Sequence, residues 1–142
     1  MNFRNHSFAI KMLARNAKEA LGKIASTKNL FVSRGDDSGT HKKELVIWKM
    51  ANINVKKASG SWYREAGAGM GATLNTAAAM LAYTLTDRGT WLNFKNREEL
   101  RLLIDNDPLL LNPYSVILIN PVRHPHTKVK MGQAFINWIT GI

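Results

Sequence analysis

Three observations predict an α/β fold, with helices laid against a mixed sheet. Several stretches carry apolar residues at three- and four-residue spacing, the period of a helix with one buried face. Between them lie short apolar runs such as Leu30-Phe31-Val32, suited to buried strands. The two kinds of segment alternate along the chain, with Gly, Pro, Asn and Asp at the joins, which argues for strands linked by helical crossovers.

The first helix follows from Phe8, Met12, Leu13, Ala17, Ala20, Leu21 and Ile24, with Lys11, Arg15, Lys18 and Lys23 on the other side. Leu30 to Ser33 then reads as a strand. Asp36-Asp37-Ser38-Gly39-Thr40 opens a second helix that runs to about Ala51, because Asp and Ser are favoured caps and acidic groups suit the positive helix end. Leu45 and Trp48 are its expected buried residues. Asn52 to Gly60 reads as a polar, flexible loop, and Trp62-Tyr63 as a brief strand. The glycine-rich turn Gly67-Ala68-Gly69-Met70-Gly71 leads into an alanine-rich helix over 72–81. Tyr83 to Thr86 reads as a strand, and Asp87 caps a short helix through Trp91. Two more strands are expected, at Leu100 to Ile104 and, buried, at Tyr114 to Ile119. A last helix spans Lys130 to Thr140, apolar at Met131, Ala134, Phe135, Trp138 and Ile139.

The chain has 142 residues, 45% of them hydrophobic, enough for a real core. It has no cysteine, so disulfides and thiolate metal sites are ruled out. No run reaches the ~18 consecutive apolar residues of a membrane helix. The scattered basic residues of the N-terminus do not form a secretory signal. A net charge of +10 favours anionic partners. The basic residues are spread along the whole chain, with pairs such as Lys42-Lys43 and Lys56-Lys57 as the longest runs. A nucleic-acid tail would concentrate them, so the expectation is no nucleic-acid partner.

Ser33-Arg34-Gly35-Asp36-Asp37-Ser38-Gly39-Thr40 is the segment with most chemistry in it. A strand delivers an arginine to its carboxyl end and a helix starts at once. The first amides of a helix have no intrahelical acceptor and carry partial positive charge, so an anion placed there accepts their hydrogen bonds. Gly39 permits close approach, while Ser38 and Thr40 add hydroxyl donors. Arg34 adds full charge and a planar fork that Asp36 is placed to orient. An arginine ~4 Å from an anion gains roughly 4 kcal/mol at an effective dielectric of 20. The same pattern also suits an ordinary capped helix with Arg34 in a structural ion pair.

The segment V-S-R-G-D-D-S-G-T-H, from Val32 to His41, resembles the signature of the tungstate-binding proteins of ABC importers, and is also similar to the R-x-D-x-S-G-T segment of phosphate-binding proteins. Further blocks resemble the tungstate family: Gly69 to Leu74, Tyr83 to Trp91, Asn112-Pro113-Tyr114, and the tail from Ala134 to Thr140. Taken in this order, from Val32 to Thr140, the blocks span about three-quarters of the chain. The resemblance implies a type II periplasmic-binding-protein fold that closes on an oxyanion, tungstate or molybdate, with no cofactor and no catalytic residue. It implies Arg34, Ser38, Gly39, Thr40, Ser33 and Thr84 as anion contacts, supported by Asp36, Asp87 and Arg88. It also implies ABC permease and ATPase partners and a periplasmic or extracellular, membrane-associated location.

Two departures stand out. Ala68 replaces a glutamine of the family's glycine turn, and the T-T-T-S motif of the family's N-terminal region is missing. The chain is therefore expected to be a single partial domain over 1–142. About 30–110 would form the second lobe; about 1–29 and 111–142 would be connecting and first-lobe elements. An oxyanion-sensing regulatory domain of the same fold, or phosphate- or sulfate-type binding, are the alternatives. His124-Pro125-His126 offers two imidazoles without a third ligand, which rarely suffices for a metal. The glycine turn lacks the Lys-Ser/Thr of a P-loop, and nothing resembles a catalytic or cofactor fingerprint.

Overall fold

The structure is a computed structural model that describes residues 14–141. It divides into two compact units, one up to Asn112 and one from Pro113 onward. The larger unit holds α1 (Ala17–Thr27), β1 (Phe31–Ser33), α2 (Gly39–Met50), a 3-10 turn (Val55–Ala58), β2 (Tyr63–Glu65), α3 (Met70–Met80), β3 (Tyr83–Thr84), α4 (Arg88–Asn93) and a second 3-10 turn (Pro108–Leu110). The smaller unit holds α5 (Val129–Thr140).

The strands lie in the order β2-β1-β3, and both pairings are parallel, with Phe31 opposite Tyr63 on one side and Tyr83 on the other. Where a mixed sheet was expected, the described strands make a parallel one. Each link is a helical crossover, which returns the chain to the same end of the sheet. As the central strand, β1 is buried throughout and shows no polar alternation. Its successive side chains still point to opposite faces. Phe31 joins Trp48, Tyr63 and Tyr83 in a core with Leu21 and Ile24 of α1, whereas Val32 sits with Ala77 of α3 and Ala82.

This two-sided arrangement follows from the connections. The step from β1 to β2 goes one way, and the step from β2 to β3 crosses back past β1. Crossovers of one hand running in opposite directions put α2 and α3 on opposite faces. Aromatic rings fill the α2 side: Phe31 meets Trp48 edge-on at 5.2 Å between centroids and stacks with Tyr63 at 5.9 Å. The α3 side is closed by alanines, whose small side chains let the helix come near the sheet.

The buried face of α1 is Ala17, Ala20, Leu21 and Ile24, as its spacing predicts. The helix begins only at Ala17, however, because Asn16 is extended and so breaks the continuous helix expected from Phe8; Phe8, Met12 and Leu13 lie outside the described residues. Asn16 caps the helix by accepting from the Glu19 amide at 2.8 Å. Asp107, 90 residues away, accepts from the Ala17 amide at 2.6 Å and from Leu109 at 2.9 Å, so one carboxylate ties the helix start to the second 3-10 turn.

Several expectations are corrected. The loop over 52–60 contains an ordered 3-10 turn that buries Val55 and Ala58 in the core, because apolar residues three apart share a face at that pitch. The run Leu100 to Ile104 forms no strand. Leu102 and Leu103 are exposed, and no neighbouring strand offers it a ladder. Tyr114 to Ile119 is likewise neither buried nor paired among the described residues: Tyr114 is 85% and Ile117 83% exposed. β-propensity needs a partner edge to become a strand. Within the smaller unit Gly132 of α5 lies so close to Leu118 that an added Cβ would meet its Cδ1 at 2.6 Å. The other apolar face of α5, with Met131, Phe135, Trp138 and Ile139, is exposed.

Two tryptophan substitutions test this division. Trp48→Ala should cost about 3–5 kcal/mol of unfolding free energy in urea titrations, the range for a fully buried aromatic. Trp138→Ala, at a position 77% exposed, should stay within about 0.5 kcal/mol.

Candidate functional site

The carboxyl ends of β1 and β2 are where the chain diverges to opposite faces of the sheet, and such a fork leaves a crevice between the outgoing helices. The chain leaving β2 runs beside the chain leaving β1 for a few residues more. The Ala66 amide donates to the Ser33 carbonyl at 2.9 Å, and the Ala68 amide to the Arg34 carbonyl at 3.2 Å. Gly35 makes this approach possible. Its φ of +61° belongs to the left-handed region, and an added Cβ would stand 2.9 Å from the Glu65 Cβ.

Arg34 follows directly. Its Nε and Nη2 both donate to one oxygen of Asp36, at 3.0 and 2.5 Å, and the pair is mostly shielded from solvent. The guanidinium is thereby held in place, with Nη1 not used in this pairing. The second Asp36 oxygen accepts from the Ser38 amide at 3.2 Å. Burial acts to raise the Asp36 carboxyl, but the hydrogen bonds from Ser38 and Arg34 outweigh it and hold it at about 2.

At the start of α2, Ser38 is the cap, and its Oγ accepts from the His41 amide at 3.3 Å. The Ser38 hydroxyl also stabilises the Asp36 carboxylate, so its amide and side chain both serve the turn. The amides of Gly39 and Thr40 come next, and neither has an acceptor among the described residues. Thr40 is buried, and Gly39 lies against Asn112, whose Nδ2 is 3.1 Å from where a Cβ would be. Asn112 opens the Asn112-Pro113-Tyr114 block, but no local signal places it against Gly39. The opposite helix start, at α3, has Gly69 as its cap with no side-chain bond to the first turn. Two helix amino ends therefore open on the same edge of the sheet.

Thr84, at the end of β3 and paired in register with Val32, has a buried Oγ1 that lacks any hydrogen-bond partner. A shielded hydroxyl left unsatisfied costs about 1–3 kcal/mol, which an incoming acceptor would recover.

Three other residues have different surroundings. The Ser33 hydroxyl donates to the buried Glu44 at 2.8 Å and accepts from the Gly35 amide at 3.3 Å, so its proton is already taken. Asp87 caps α4, accepting from the Thr90 amide at 2.7 Å and the Thr90 hydroxyl at 2.8 Å. Arg88 begins α4 and is exposed. No local signal singles out Glu44, since a glutamate in a lysine-rich helix looks like a solvated charge. His124 and His126 stand with ring centroids 6.1 Å apart, and no group of three or more His, Cys, Asp or Glu among the described residues could hold a metal ion.

A family model described as "PBP superfamily domain" matches residues 9–141. The chain belongs to this superfamily. This PBP domain is similar to the tungstate-binding protein TupA of Peptoclostridium acidaminophilum, at 44% identity over 84% of this chain and 41% of the relative. It is also similar to TupA of Campylobacter jejuni, at 37% identity over 94% of this chain and 51% of the relative. Among solved structures, the tungstate ABC transporter protein from Geobacter sulfurreducens superposes with a TM-score of 0.82 at 42% identity, covering 96% of this chain and 56% of that one. The PBP chain thus spans about half the length of the relatives it matches.

The Asp36 geometry predicts a specific acid response. A carboxylate held low in the folded chain stabilises it above the unfolded value of 3.8, and the contribution is lost as pH falls through about 2. Asp36→Asn should therefore lower the urea midpoint fully above pH 3.8, and the gap from the unsubstituted protein should close between there and pH 2.

Proposed function

We propose that this chain carries the anion-binding face of the solute-binding component of an ABC importer, and that its cargo is tungstate or molybdate. The observation that carries the reading is that several hydrogen-bond donors share one sheet edge. The Arg34 guanidinium held by Asp36, the Gly39 and Thr40 amides and the unpartnered Thr84 hydroxyl all lie at the carboxyl ends of adjacent parallel strands. All are donors, and a tetrahedral dianion has four oxygens to receive them. Charge-assisted bonds of this kind are roughly twice as strong as neutral ones.

In this reading Arg34, Gly39, Thr40 and Thr84 touch the anion. Ser38 and Asp36 build the turn, Ser33 supports it from behind, and Asp87 and Arg88 shape the neighbouring helix start. About 30–110 form the second lobe of a two-lobed binding protein, with 1–29 and 111–142 belonging to connecting and first-lobe elements. The similarity to tungstate-binding relatives across about half of their length supports that division. A permease and an ATPase are the partners, and the compartment is periplasmic or extracellular. Among the described residues no helix is long and apolar enough to cross a membrane.

Sodium tungstate at ~100 times its dissociation constant should stabilise the protein by about 2.7 kcal/mol, a thermal shift of several degrees. Arg34→Ala should abolish the shift. If tungstate, molybdate, phosphate and sulfate all leave the melting temperature unchanged, with the first lobe of a relative supplied as well, the reading is wrong. Thr84→Val separates the hydroxyl from the fold. It removes an unsatisfied group, so the ligand-free protein should keep or gain stability, while tungstate affinity measured by calorimetry drops about fivefold.

A further inference from the structure

Glu44 lies inside α2 and is only 1% exposed, yet it is a carboxylate. Three donors from three elements converge on it. The Ser33 hydroxyl of β1 reaches Oε2 at 2.8 Å, while the Tyr63 hydroxyl of β2 and the Trp48 indole of α2 reach Oε1 at 2.8 and 3.0 Å. Its burial raises its proton affinity, and these same three hydrogen bonds act against that rise. A leucine would fill such a position at less cost in desolvation. The hydrogen-bond directions give the carboxylate a role that an apolar side chain lacks.

A serine hydroxyl has one proton. By drawing that proton, Glu44 leaves the Ser33 oxygen with lone pairs only, one of which receives the Gly35 amide. Gly35 is the first of two left-handed residues, with Asp37, in the turn that follows Arg34. We propose that Glu44 is a positioning residue for the anion site: by fixing Ser33 as an acceptor, it sets the turn that holds Arg34 beside the first amides of α2. Ser33 accordingly serves the turn and does not donate to the anion. The inference rests on the anion-binding reading for its functional meaning, while the Glu44–Ser33–Gly35 relay is measurable without any ligand.

Glutamine at position 44 keeps the shape but has one acceptor oxygen for three donors, and its amide adds two more protons. The full chain is compared as unsubstituted protein, Glu44→Gln, Ser33→Ala and the double variant. Tungstate affinity by calorimetry should drop about fivefold in each single variant, and the double variant should be no weaker than either alone. Additive losses would overturn the relay. Ser33→Ala removes only a hydroxyl, so it tests the idea should Glu44→Gln fail to fold: unchanged tungstate affinity in Ser33→Ala would be fatal.

An amide-resolved NMR titration without ligand supplies the second reading. The Gly35 amide resonance should follow pH with a midpoint above the ordinary carboxylate range, as Glu44 gains its proton, and this step should vanish in Glu44→Gln and Ser33→Ala. The other titratable groups acting on this carboxylate are His41, on the same helix, and Tyr63, from β2. Burial and then the Glu44 charge push the Tyr63 phenol upward, away from the window, and His41→Asn removes the imidazole. A Gly35 step that survives in Glu44→Gln, or disappears in His41→Asn, would overturn the assignment. Failure of every oxyanion to bind, with the Gly35 step present, would instead discard the anion-binding reading and leave the relay standing.

Discussion

Three hydrogen bonds reach the Glu44 carboxylate: two tie Ser33 of β1 and Tyr63 of β2 to α2, and the third, from Trp48, lies within α2. Taking a charge out of water is costly, and it is tolerated here because each donor gains a charged acceptor and none is left over. Removing the carboxylate would leave a serine, a tyrosine and an indole as buried donors at once. Those donors are spread over 31 positions of sequence, from Ser33 to Tyr63, so one side chain commits the registration of two strands and a helix. The stacked and edge-on rings of Phe31, Trp48 and Tyr63 pack around the same residues and exclude the water that would weaken the bonds.

From that anchored base, the chain forks. The turn at Gly35 lets the paths leaving β1 and β2 run side by side before they part to opposite faces. Arg34 stands at the parting with its guanidinium clamped by Asp36, so its charge is oriented in advance. The Gly39 and Thr40 amides and the Thr84 hydroxyl add donors from a helix and from the third strand. Donors preorganised in this way would lose little entropy when an acceptor arrived, which is what the proposed anion site requires.

Much of the local structure was legible in the residues. Ser38 and Asp87 each cap the helix that their sequence context announces, whereas the cap at Asn16 falls inside the stretch read as one continuous helix. The spacing of Ala17, Ala20, Leu21 and Ile24 gave the buried face of α1, and the apolar run at 30–33 gave the central strand. The pairing of Arg34 with Asp36 was readable too, since two residues across a turn are within reach of each other whatever the rest of the chain does. The runs at 100–104 and 114–119 misled, because an apolar, β-branched segment becomes a strand only where a neighbouring edge accepts its hydrogen bonds.

Local signals of capping, periodicity and turn chemistry act over a few residues, so the amino-acid order alone settled where α2 and α4 begin and which strand carries the arginine. Glu44, Asn112 and Asp107 gained their roles from residues 19, 73 and 90 positions away respectively. Burial turned a glutamate that resembles any exposed helix charge into an anchor, and shielded the Thr84 hydroxyl without giving it a hydrogen-bond partner. Such effects arise only when distant segments meet and shut out water, which no short stretch of chain can announce.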